Sequence, residues 1–107
     1  MQVPAVLLPH MITVRLYLGT GPYGDVHGDP VLIRRTFVED RRRLVRSADG
    51  DELISETTVR TRPHEHIPVR SLVTVWPGTP HERTGRVLTS NLFDHPSSWS
   101  HREVALT

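Results

Sequence analysis

Apolar and polar positions alternate along most of this chain. Ile12, Val14, Leu16 and Leu18 are interleaved with Thr13, Arg15 and Tyr17, the period of two that a half-buried strand requires. Residues 31–38, 69–76, 83–92 and 99–106 read as further strands. In 69–76 both faces are apolar, with Val69, Val73 and Val75 on one and Leu72 and Trp76 on the other. One face is expected to meet the core and the other to be covered by something else. In the last run Val104 and Leu106 point one way, and His101, Glu103 and Ala105 the other. Nowhere do apolar residues recur at helical spacing over three turns, so helix should be scarce.

Turn chemistry divides these runs. Residues 36–63, TFVEDRRRLVRSADGDELISETTVRTRP, hold two strand-like segments joined at Asp49-Gly50, a dipeptide that supplies the positive φ angles of a tight hairpin. Thr57, Thr58, Val59 and Thr61 favour the pleat, whereas Arg41, Arg42 and Arg43 are too polar to be buried on both sides. A long hairpin that projects from a core is expected here. Residues 19–30 hold four of the seven glycines and read as a loop with short pairing around Val26. Residues 63–68, 77–80 and 93–98 are connections. The first ten residues form a proline-bounded extended arm whose Val6 and Leu7 lie either over the chain's own barrel or on a neighbouring subunit. Six or seven short strands within one domain of residues 1–107 define an all-β fold, a small β-barrel.

Composition adds exclusions. A chain of 107 residues without cysteine has no disulfide framework, thiolate zinc site or cysteine nucleophile. All thirteen basic residues are arginine, and the net charge of +1 gives no global field for nucleic acid. The apolar N-terminal stretch is interrupted by Pro4 and Pro9 before it reaches the length of a signal peptide or a membrane span.

Catalytic patterns find little support. His64 and His66 share a side of an extended segment, as in small metal-binding barrels, but no carboxylate follows at cupin spacing. His81-Glu82 lacks the second histidine of a zinc helix, because residue 85 is glycine. Ser97, Ser98 and Ser100 lie in turn-like sequence, Asp25 and Asp29 sit in Asp-Val and Asp-Pro turns, and GTGPYG has neither the lysine nor the helix of a phosphate loop. The expectation is a protein without enzymatic activity, metal or cofactor.

Arginine in the hairpin is the better lead. Arg34, Arg35, Arg41, Arg42, Arg43 and Arg46 fall within thirteen positions, offset in part by Glu39 and Asp40. They act either as a solvated edge that blocks aggregation or as ion-pairing groups for a partner or DNA.

The stretches LLPHMITVRLYLGTGPYGDVHGDPV, FVEDRRRLVRSADGDELISETTV, SLVTVWPGTPHERTGRVL and HREVALT resemble, in order, the head-to-tail stopper (head completion) proteins of long-tailed actinobacterial phages. The likeness runs from Leu8 to Thr107 and is most specific in the hairpin and in the EVALT ending; it departs from the family pattern at the more highly charged residues 60–66. It implies a β-barrel subunit of a homo-oligomeric ring in the virion neck, assembled in the host cytoplasm. The adaptor protein would lie above, the tail terminator or tail tube below, and genomic DNA in the channel. No membrane and no cofactor would be involved. The interface would draw on Arg41, Arg42, Arg43, Arg46, Asp49, Gly50, Leu72, Trp76, Val6 and Leu7. The alternative class is an OB-like nucleic-acid-binding barrel, which requires aromatic residues interleaved with basic ones on a sheet face.

Overall fold

The computed structural model describes residues 8–47, 49–93 and 100–107; Val6 and Leu7, expected in the arm, lie outside them. The described residues form eight strands: β1 (His10–Arg15), β2 (Tyr17–Gly21), β3 (Gly24–His27), β4 (Val31–Arg46), β5 (Glu52–Thr61), β6 (Leu72–Val75), β7 (Arg83–Phe93) and β8 (His101–Leu106). Six close into an antiparallel barrel in the order β1-β4-β5-β8-β7-β6, while β2 and β3 pair only with each other. This is the all-β barrel that the alternation predicts.

Mostly valine and isoleucine fill the interior. Ile12, Val14, Val38, Val59, Ile67, Val73, Val75, Val87, Val104 and Leu106 form one buried cluster, with Leu16, Ile33 and Trp76 packed at its margin. Short β-branched side chains suit a six-stranded barrel, where inward positions from facing strands must interdigitate in little space. Leu8, at the end of the arm, is 2% exposed and so joins the buried side chains of its own barrel. Where β7 passes the end of β8, Gly85 is buried, and a Cβ there would lie 3.1 Å from the Thr107 carbonyl oxygen and 3.2 Å from the Leu106 Cβ.

Several expectations need correction. The first alternating run is not one strand, because the chain breaks between Arg15 and Tyr17; Leu18 then falls on the β2–β3 hairpin and is 64% exposed. The short pairing expected around Val26 in the glycine-rich segment is present, as β3 against β2. Val69 precedes its strand and is exposed: Arg70 takes a φ of 76°, and pairing begins at Leu72. Val73 and Val75 are the core face and Leu72 is half-buried on the other, whereas Trp76, past the end of β6 with a positive φ, does not share the face of Leu72 by alternation and packs half-buried against the core cluster. Ala105 is fully buried with Val104 and Leu106, so β8 is covered on both faces at its end.

At the Asp49-Gly50 turn, Gly50 takes a positive φ of 88°. The Gly50 N–H donates to the Ser47 carbonyl (3.0 Å), and the Ser47 N–H donates to the Asp51 carbonyl (2.8 Å). These two bonds close the end of the hairpin, with a glycine where a left-handed backbone is needed. The hairpin is long and its outer half extends past the barrel wall, but it leans back over β8 and β7 instead of standing clear. Arg43 reaches Glu103 on β8, the Ser55 hydroxyl donates to the Leu106 carbonyl (2.9 Å), and Asp49, Asp51 and Leu53 share a cleft with Val69, Arg70 and Leu88. Leu88, which lines this cleft, is 8% exposed.

Candidate interaction surface

Two β-bulges in β4 decide where its arginines go. Between the pairs Ile12↔Ile33 and His10↔Thr36, β4 advances three residues while β1 advances two, so Arg34 and Arg35 together oppose Met11. Between Asp40↔Thr57 and Arg43↔Ser55 the same excess places Arg41 and Arg42 against Glu56. A bulge holds two consecutive residues against one and shifts the phase of the strand. Accordingly all four arginines are exposed, and the covered side of β4 passes from Ile33 to Thr36 and Val38, then to Arg43 and Val45. Among the described residues Arg34 and Arg35 have no ion-pair partner.

The remaining arginines differ sharply. Arg41 stands 3.9 Å from Glu39, Arg42 3.6 Å from Glu56 and Arg46 3.7 Å from Glu52, each with a side chain about 70% exposed. Arg43 is not one of this exposed set, which corrects its grouping with Arg41 and Arg42. Its guanidinium lies 2.7 Å from Glu103, whose side chain is only 14% exposed, and its Nε is buried without a hydrogen-bond partner. Glu103 also receives Arg60 at 3.6 Å and His101 at 3.7 Å. Arg43 therefore ties the hairpin to the barrel wall.

At the barrel end, the Thr57 hydroxyl donates to Asp40 (2.9 Å), and the Arg83 guanidinium donates to Thr57 Oγ1 and to the Thr107 carbonyl oxygen. Asp40, Thr57 and Arg83 line a cleft of about 310 Å³ together with Arg41, Arg42 and Glu56. Within it Arg42 is ion-paired with Glu56, and Thr57 links Asp40 to Arg83 by hydrogen bonds.

Strand pairing gathers a band of rings and cations that the sequence scatters. Phe93 stacks on His101 with centroids 5.1 Å apart and planes at 14°. Arg60 lies over Phe37 at 5.9 Å, Phe37 meets His10 at 5.6 Å, and His10 meets Trp76 at 6.3 Å. The His10 ring is oriented by the Val38 N–H, which donates to Nδ1 at 3.0 Å. Trp76 adopts a φ of 48°, an uncommon conformation for a bulky residue, held by bonds from the Thr79 N–H and hydroxyl to its carbonyl. The sequence hints at this band only through His10, Phe37 and Trp76 being rare aromatic interruptions in β runs; their adjacency follows from register.

Of the other sequence candidates, Asp49 and Gly50 lie in the hairpin loop, Leu72 is on the outer side of β6, and Trp76 follows that strand and packs against the core cluster. His64 Nε2 is 3.1 Å from Glu65 in an irregular segment, and among the described residues no group of three or more His, Asp or Glu is placed to hold a metal ion. Ser100 is buried, while Ser97 and Ser98 lie outside the described residues.

The molecule is thus a closed six-stranded antiparallel barrel with its distinctive chemistry on the outside. Comparison with protein-family models, curated proteins and solved structures finds no match to this chain.

Proposed function

We propose that this chain is a structural assembly subunit without enzymatic activity, a ring-forming stopper of the phage head–tail junction that retains packaged DNA and offers a docking surface to the tail. The observation that carries this reading is the outer surface of β4, where two bulges expose two arginine doublets on a barrel whose interior is filled by aliphatic side chains. A subunit that works by contact needs such groups on rigid strands. The resemblance over residues 8–107 supplies the setting: adaptor above, tail terminator or tail tube below, and DNA in the channel. Arg41, Arg42 and Arg46 are the groups of the hairpin free to reach a partner; Arg43 is committed to Glu103.

The test is a phage in which this reading frame is interrupted by a stop codon. DNA-filled heads without tails, restored to virions by the supplied protein, are the expected result. Normal virions from the mutant would overturn the reading.

A second reading, an OB-like nucleic-acid-binding barrel, is favoured by one observation: the band from Phe93 and His101 through Arg60 and Phe37 alternates rings with cations on a sheet face. Glu103 in its midst and the existing ring pairings weigh against it. Retardation of single-stranded DNA at moderate salt, lost in Phe37→Ala, would support this reading.

A further inference from the structure

The solvent side of the outer hairpin carries six residues as three cross-strand pairs. Leu44 faces Ile54 and Arg46 faces Glu52 in the register, while Arg42 is ion-paired with Glu56 one step nearer the barrel. Leu44 and Ile54 are 67% and 47% exposed, so two large aliphatic side chains stand together in water between two ion pairs. The charges are segregated by strand. Both cations of this strip stand on β4, and both anions on β5.

This ordering makes the strip complementary to itself. We propose that it binds a second copy of the chain, strip to strip, about a two-fold axis that lies in the contact plane and runs parallel to the strands. Rotation about that axis lays the β4 row of one copy over the β5 row of the other. Arg42 of one copy then meets Glu56 of the other, Arg46 meets Glu52, and Leu44 meets Ile54. A two-fold axis across the strands would instead set Arg42 over Arg46 and Glu56 over Glu52, so the charges select one geometry and reject the other. The aliphatic centre is flanked along the strands by charged pairs at both ends, which fix the register of the contact.

The contact is isologous and cannot close a ring, which needs heterologous contacts; it therefore stands apart from the ring reading. A partner that takes Arg42 and Arg46 competes with it. Three residue pairs per copy make a small interface, so the association is weak and visible only at high protein concentration.

Sedimentation velocity of the full chain over a wide concentration range, at low and high salt, tests the proposal. The wild type should pass from monomer to dimer as concentration rises, less readily in salt. Arg42→Glu with Arg46→Glu gives a strip with two negative rows, and Glu52→Arg with Glu56→Arg a strip with two positive rows. Each double variant should associate about a hundredfold more weakly, because like charges now face each other. Mixing the two should restore a dimer containing one of each, and the variant with all four exchanges should dimerise like the wild type. Circular dichroism establishes that each variant is folded. If a charge variant is not, Leu44→Ser with Ile54→Ser removes the apolar centre and should abolish the dimer instead. A wild type that stays monomeric throughout, or a dimer indifferent to these exchanges, would overturn the proposal.

Discussion

Arg41, Arg42 and Arg43 are consecutive in sequence and unlike in surroundings. Two are about 70% exposed and loosely paired, so truncating either should change stability by no more than about 0.5 kcal/mol. Arg43 makes a charge-assisted contact of 2.7 Å with a largely covered carboxylate, and its loss leaves Glu103 with the more distant Arg60 and His101. Arg43→Ala should therefore cost about 1–3 kcal/mol in a urea unfolding experiment; equal effects for Arg41→Ala and Arg43→Ala would show that the Glu103 contact does not hold the hairpin. Tyr17 offers a separate residue-scale test. Hydrogen bonds with Thr20 and with the Arg70 guanidinium hold its phenol below the usual tyrosine range, and Arg70 is raised in turn. A lowered phenol contributes stability that is fully present above the unfolded tyrosine's value and is lost as pH falls through the folded value, so the contribution belongs to alkaline solution. Ultraviolet titration should show one of the two tyrosines ionising early, and Arg70→Met should move that step upward.

At the level of elements, β8 is the strand on which closure depends. It pairs with β5 on one side and β7 on the other, and Val104, Ala105 and Leu106 are fully buried. Burial of Val104 and Leu106 contributes on the order of 1.5–3 kcal/mol each, a large share of the roughly 5–15 kcal/mol that stabilises a domain of this size. Removing residues 103–107 should leave a chain without a cooperative thermal transition; a folded, soluble truncation would place β8 outside the core. The bulges of β4 show how element-scale structure was partly legible in advance. Arg34-Arg35 and Arg41-Arg42 are consecutive polar residues that break the period of two within β4, yet a phase slip becomes assignable to them only once Met11 and Glu56 are known to lie opposite. The split between β1 and β2 escaped for the converse reason, since Leu16 and Leu18 keep perfect alternation across a break in pairing.

For the molecule as a whole, the doubled apolarity of residues 69–76 is resolved by the barrel, which takes Val73 and Val75 inside, packs Trp76 against the core margin and leaves Leu72 half-buried on the outer side. If the chain forms a ring through that outer face, hydroxyl-radical labelling of Leu72 should fall on assembly, and unchanged labelling would exclude the face from the contact. The alternation of Ile12, Val14, Val73 and Val75, the β-branched run at Thr57–Val59–Thr61, and the glycine at position 50 determined strands, a hairpin and an all-β barrel, because side-chain period and turn φ are local properties of the backbone. Which strands neighbour one another, the lean of the hairpin onto β8, the joining of Arg43 and Arg60 at Glu103, and the ring-and-cation band were decided only by the tertiary structure. Those features join residues tens of positions apart, and barrel closure and strand register, which no local pattern encodes, set which of them meet.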